Sequence, residues 1–158
     1  MTRKKNNFLN KSKSKIVNHF IQNGNKATCE IILSKSLKLM QKSQVKSHSE
    51  IVKLAILNAT PVFRIMELKE KRKKKRKKGT KRAKEIPAFL SHYLFRTSNA
   101  LKLMVNSAKK RTKHNSFSDQ LHQEMVASSR NIGETIKFKE ETQKQALKKK
   151  IYFKYYRW

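Results

Sequence analysis

Forty lysines and arginines stand against ten acids, a formal net charge of +30 on a chain of 158 residues. Charge of that size limits what the chain can fold into, because self-repulsion opposes compaction unless a polyanion supplies the countercharge. The hydrophobic fraction of 37% is nevertheless too large for a disordered tail throughout. The chain therefore reads as one compact domain with basic extensions, and an anionic partner is implied.

Backbone punctuation is sparse. The prolines are Pro61 and Pro87 and the glycines Gly24, Gly79 and Gly133, so long stretches are free to form helices. The glycines are too far apart for any phosphate-cradling GxGxxG or GxxxxGK loop, which removes P-loop nucleotide hydrolysis. Cys29 has no second cysteine for an internal disulfide, and the first residues lack the apolar stretch of a secretory signal, so an intracellular or organellar setting is expected. Apolar runs such as Ile31 to Leu33 fall far short of the roughly 18 residues that cross a bilayer. No membrane partner is expected.

Residues 1–15 carry six cations and no acid and read as a basic arm that orders on nucleic acid. Ile16, Val17, Phe20 and Ile21 form the apolar stripe of a first helix ending at Asn23-Gly24. Cys29, Ile32, Leu33, Leu37 and Met40 mark a second helix. Ile51, Val52, Ala55, Ile56 and Ala59 mark a third, with Ser49 as its expected cap and Pro61 beyond its end. Short apolar segments at residues 62–68 and 86–90 then flank a stretch with twelve cations in sixteen residues, including the unbroken octet 71–78. That pattern predicts a β-hairpin whose charged tip repels itself. Leu101, Met104, Val105 and Ala108 define a fourth helix ending in Lys109, Lys110 and Arg111, which suit the negative end of its dipole. Ser116 with Asp119 predicts the start of a fifth, carrying Phe117, Leu121, Met125 and Val126. Gly133 breaks it, and Glu134 to about Lys150 forms a charged surface helix before the tail IYFKYYRW.

The expected architecture is mainly α: a bundle of about six helices with a long projecting β-hairpin between helices 3 and 4, plus a basic N-terminal arm. Residues 1–15 are the arm and 16–158 a single helical domain, with the hairpin extension at 61–90 and the C-terminal helix and tail at 134–158.

The octet admits three readings: a nuclear localisation signal, a solvated linker, or a nucleic-acid-contacting finger. Its place between two strand-like segments favours the finger. In the tail, Tyr152, Phe153, Tyr155, Tyr156 and Trp158 alternate with cations, a pattern that lets rings stack on unpaired bases while cations meet phosphates. For Tyr152 and Phe153, packing back onto the helices is at least as good a reading. His19, His48, His92, His114 and His122 lack metal-ligand spacing, and no metal or other cofactor is expected. Cys29 lies on an apolar helix face, where an inert buried thiol is the usual outcome. The adjacent Glu140 and Glu141 face different sides of a helix. No catalytic residue and no small-molecule substrate can be assigned.

Four stretches stand out together: Gly24-Asn25-Lys26-Ala27-Thr28-Cys29-Glu30-Ile31-Ile32, the pair Ala59-Thr60-Pro61-Val62 and Ile86-Pro87, the run from Lys102 to Arg111 followed by Ser116, Leu121, Glu124 and Met125, and Lys139-Glu140-Glu141-Thr142 with the terminal Tyr156-Arg157-Trp158. In this order they resemble small-subunit ribosomal protein family seven, found in bacteria, plastids and mitochondria. The likeness spans about residues 14–158. Departures are a longer hairpin with one glycine at its tip, Asn25 where lysine is usual, and Leu103 in place of a tryptophan.

The resemblance implies a non-catalytic primary binder of small-subunit rRNA. Such a protein organises the head (3′ major) domain, lines the exit-site path of tRNA and mRNA, and neighbours other head and platform ribosomal proteins. The rRNA-contact candidates are Arg3, Lys4, Lys5, Lys11, Lys13 and Lys15 in the arm and Lys26 at the start of the second helix. Lys102, Lys109, Lys110, Arg111 and Lys113 follow on the helix pair. For the hairpin, meeting tRNA, mRNA or rRNA, they are Arg64, Lys71, Arg72, Lys73, Lys74, Lys75, Arg76, Lys77, Lys78, Lys81 and Arg82. Lys137, Lys139, Lys148, Lys149, Lys150, Arg157 and Trp158 serve the C-terminal element. Lysine outnumbers arginine 31 to 9, and asparagine and isoleucine occur eleven times each, a bias expected of an AT-rich genome and hence of a mitochondrial gene. Two rivals remain at this level: a cationic nucleic-acid-compacting protein of nucleus or nucleoid, and an RNA-processing enzyme using Cys29, His122 or Glu124.

Overall fold

The computed structural model describes residues 13–21, 23–43, 47–68, 84–110 and 116–155. In chain order these form α1 (13–20), α2 (Lys26–Ser43), α3 (His48–Ala59), β1 (Phe63–Leu68), β2 (Lys84–Phe89), α4 (Tyr93–Lys110), α5 (Phe117–Ser129) and α6 (Glu134–Lys148), followed by a 3₁₀ helix at Lys150–Tyr155. Six α-helices with a two-stranded antiparallel hairpin between α3 and α4 is the mainly-α arrangement that the periodicity predicts.

Helix α5 is the hub, since α2, α3, α4 and α6 all pack on it. Its buried face presents Leu121 and Met125 to Met40 of α2, Ile51, Val52 and Ala55 of α3, and Leu101, Met104 and Val105 of α4 in one continuous core. Helix α1 adds Ile16, Val17 and Phe20, whose ring meets Phe117 edge to face at 5.9 Å. Cys29 is buried in this core, its thiol directed at the Phe20 carbonyl at 3.6 Å, so it is an interior packing group.

The turns follow from local chemistry. Asn23 (φ 52°) and Gly24 (φ 74°) take the left-handed region between α1 and α2, as expected of the residue types that tolerate it. Ser116 caps α5, its hydroxyl accepting the Asp119 amide at 3.4 Å. At the far end of α5, the Asn131 amide donates to the Ser128 carbonyl at 3.1 Å and the Ile132 amide to the Ala127 carbonyl at 2.9 Å. With Asn131 at φ 61°, this is a Schellman closure. The chain re-enters a helix at Gly133, where Glu124, fully buried, accepts from the Thr135 amide at 2.9 Å and its hydroxyl at 2.6 Å.

The hairpin pairs Phe63 with Phe89, Ile65 with Pro87 and Glu67 with Glu85. Phe63 meets Phe89 edge to face at 5.8 Å and lies stacked on Phe153 at 5.0 Å, so the 3₁₀ tail is packed onto the hairpin base. Helix α6 runs along β1, burying little beyond Thr135, Ile136 and Ala146, in keeping with its charged sequence.

Residues 13–15, read as the end of the arm, are helical, so Lys13 and Lys15 stand on α1, whose apolar stripe is buried. One expectation is corrected. Helix α3 begins at His48 with Ser47 as its N-cap residue, not Ser49. Ser47 is extended, and its carbonyl accepts the amides of Glu50 at 3.0 Å and Ile51 at 3.2 Å, so the backbone closes the first turn.

Candidate nucleic-acid interface

The fold gathers cations from distant parts of the chain. His19 of α1 bonds Ser98 of α4 through Nε2 at 2.9 Å, which brings these helices side by side. Its imidazole is held below the ordinary histidine range, first by burial and then by the charges of Lys102 and Lys15. A lysine from the N-terminal segment and one from α4 thus flank a common seam. Neither adjacency nor spacing in sequence announces that meeting. His122 is also held low by burial, against the opposing pull of Asp119, and bonds Ser43 at 2.9 Å.

A second group sits where the end of α4 meets α6. Leu103, Asn106, Ser107, Lys109, Lys110 and Phe138 line an open groove of about 330 Å³. The Lys110 ammonium lies 4.4 Å from the centre of the Phe138 ring, a cation–π contact that holds it over the groove. Lys109 is exposed beside it.

Other candidates are partly engaged within the protein. Lys26 is exposed at the start of α2 and pairs with Glu30 at 3.6 Å, and Lys137 pairs with Glu134 at 3.5 Å. Both pairs are exposed and easily exchanged for a phosphate, since such pairs contribute little. Half-buried Lys139 donates to the Asn58 carbonyl at 2.5 Å, and Lys149 pairs with Glu85 of β2, so these two tie α6 to its neighbours. Lys148 and Lys150 are exposed, as is Arg64 on β1. Arg3, Lys4, Lys5, Lys11, residues 71–78, Lys81, Arg82, Arg111, Lys113, Arg157 and Trp158 lie outside the described residues.

The tail rings divide as their composition allows. Tyr152 and Phe153 are half-buried, and Phe153 is spent on Phe63. Sequence reasoning missed the other aromatic surface, at the start of α4, where Tyr93, Leu94 and Phe95 are 54%, 57% and 62% exposed. The available signal was three consecutive large apolar residues opening a helix, which cannot all face one core.

Among the described residues no group of three or more histidines, cysteines and acids is placed to hold a metal ion. No helix among them is long and apolar enough to cross a membrane. What the described surface offers is dispersed cations over a helical body, a chemistry suited to phosphates presented at a matching spacing.

The model of a family described as ribosomal protein S7p/S5e matches residues 2–150. Small ribosomal subunit protein uS7c of Euglena gracilis is 31% identical over 133 residues, covering 84% of this chain and 78% of that one. The uS7c protein of Euglena longa is 33% identical over 131 residues, 83% of this chain and 68% of its own. Small ribosomal subunit protein uS7 of Dehalococcoides mccartyi strain BAV1 is 28% identical over 145 residues, 92% and 85% of the two chains.

Proposed function

The chain belongs to the ribosomal protein S7p/S5e family, and on that premise we propose that it is a primary binder of small-subunit rRNA that organises the subunit head. Membership makes it a structural, non-enzymatic constituent of the small ribosomal subunit. The observation that carries the finer reading is the family match across residues 2–150, together with cations that the fold draws together on helical surfaces. Residues 16–158 act in this reading as one rRNA-binding domain. Lys15 and Lys102 beside the α1–α4 seam, with Lys109 and Lys110 at the groove, are its first phosphate contacts.

The hairpin and the C-terminal element face tRNA and mRNA at the exit site, and neighbouring head and platform proteins complete the surroundings. The docking of the 3₁₀ tail on the hairpin base supports treating those two as one unit. The setting we propose is a mitochondrial ribosome, on the strength of 31 lysines to 9 arginines and eleven each of asparagine and isoleucine.

Each cation seated on a phosphate releases condensed counterions, so binding weakens as salt rises, while fit to the RNA shape sets the preference that remains. The test is equilibrium binding of the purified chain to a head-domain rRNA fragment, competed by unrelated RNA of equal charge across a salt series. A preference for the head fragment that survives high salt is the expected result. Parallel collapse of both affinities would return the chain to generic compaction of nucleic acid.

A further inference from the structure

The first turn of α4 carries Tyr93, Leu94 and Phe95, each more than half exposed. Single exposed apolar residues are ordinary, but a contiguous run of large ones marks an interaction surface. The turn is held firmly. Arg96 donates through Nε to the Leu90 carbonyl at 2.5 Å and lies 5.2 Å from the centre of the Phe89 ring, fastening the helix start to the hairpin base. The His92 carbonyl closes the turn by accepting the amides of Phe95 at 3.1 Å and Arg96 at 3.2 Å.

Within the turn, residues three apart share a side and residues two apart do not. The rings that come together are accordingly His92 and Phe95, edge to face at 5.8 Å with planes 67° apart. Both are exposed. Their partner is indicated by charge: between Glu85 and Asp119 the sequence contains no acid, while Arg96, Lys102, Lys109 and Lys110 all lie on α4. A phosphate backbone running along α4 meets no acid on that helix.

We infer that the His92–Phe95 pair is a stacking platform for an unpaired RNA base, its flanking phosphates drawn by the acid-free surface of α4. The inference rests on the ribosomal reading and adds a site to it. Aromatic rings held on a rigid turn accept any base face, and nearby cations hold the strand against them. Phe153 of the tail, by contrast, is already stacked within the protein.

The test uses the full chain and a head-domain rRNA transcript carrying 5-iodouridine, irradiated in the complex and mapped by peptide mass. Adducts within residues 92–95 are expected. Phe95→Ala should weaken binding of that transcript by about 5- to 150-fold, as loss of one base–aromatic stack does. Phe95→Trp should restore it, and affinity for a fully paired duplex should be the same in all three proteins. Because Phe95 is exposed, thermal unfolding followed by circular dichroism should match the parent chain.

Unchanged transcript affinity in Phe95→Ala, with no adduct in the turn, would overturn the platform. So would a Phe95→Ala protein that binds the transcript normally but fails to enter reconstituted subunit particles, which would assign the patch to a protein partner. The parent chain's preference for the head transcript over equal-charge RNA reads the ribosomal proposal separately. With that preference intact, a normal Phe95→Ala removes the platform alone; without it, both fall.

Discussion

Substituting Gly133 by alanine should destabilise the isolated protein by about 2.5–6 kcal/mol, a sum worked from two separate effects. Gly133 has φ 138° and ψ 169°. That region is open essentially to glycine, and placing a side chain there costs about 1–3 kcal/mol. An added Cβ would also lie 3.1 Å from Glu124 Oε1 and 3.2 Å from the Ala127 Cβ. The carboxylate cannot swing away freely, because Glu124 is fully buried and the same oxygen accepts both bonds from Thr135. Hydrogen bonds to a charged group contribute about 1.5–3 kcal/mol, so weakening them raises the total above strain alone. The assay is equilibrium urea unfolding followed by helix circular dichroism at fixed salt, on the parent, Gly133→Ala, Thr135→Ala and the double variant. Both changes act through one carboxylate, so the double variant should lose less than the sum of the singles. A Gly133→Ala loss below about 0.5 kcal/mol, the scale of ordinary surface changes, or strict additivity, would refute the reasoning that the α5–α6 corner is closed on Glu124.

Further outcomes follow from other contacts. Phe153→Ala should release the 3₁₀ segment from the hairpin base while leaving the bundle intact; hydrogen exchange should then rise in residues 150–155 with little change in the overall unfolding midpoint. His19 and His122 are both held below the ordinary histidine range, so the unfolded chain binds more protons in mildly acid solution. Their contribution to stability is present above about pH 6.5 and is lost as pH falls through that value toward the folded pKa values. The urea midpoint should drop on acidification in this window, and less in a His19→Gln, His122→Gln protein. Lys102→Gln removes one of the charges opposing protonation of His19, and its titration by NMR should move upward. Lys149→Met should cost less than about 1 kcal/mol in unfolding experiments, because its pairing with Glu85 is partly exposed.

Much of the fold is legible locally. The helical period places the core stripes of α2 to α5, and Ser116 acts as the cap that its spacing from Asp119 predicts. Asn131 and Gly133 take the positive φ values that end one helix and admit the next. The misses have physical causes. Lys13 and Lys15 read as arm because charge marks them polar, yet both stand on α1 beside the buried Ile16, Val17 and Phe20. Ser49 reads as the cap of α3 from its hydroxyl, yet the Ser47 carbonyl closes that turn without help from a side chain.

Composition and pattern by themselves determined that the chain is cationic, mainly helical and interrupted by one hairpin, because each of these depends on residues that are near one another in sequence. Only the tertiary structure decided which cations meet and which rings are left bare. Lys15 and Lys102 share a seam because His19 bonds Ser98, 79 residues away. Phe153 is half-buried because β1 offers it Phe63, and Phe95 stays exposed because, among the described residues, none covers its side of the first turn of α4. Exposure is a property of what packs alongside a residue, and the neighbours are set by the fold as a whole.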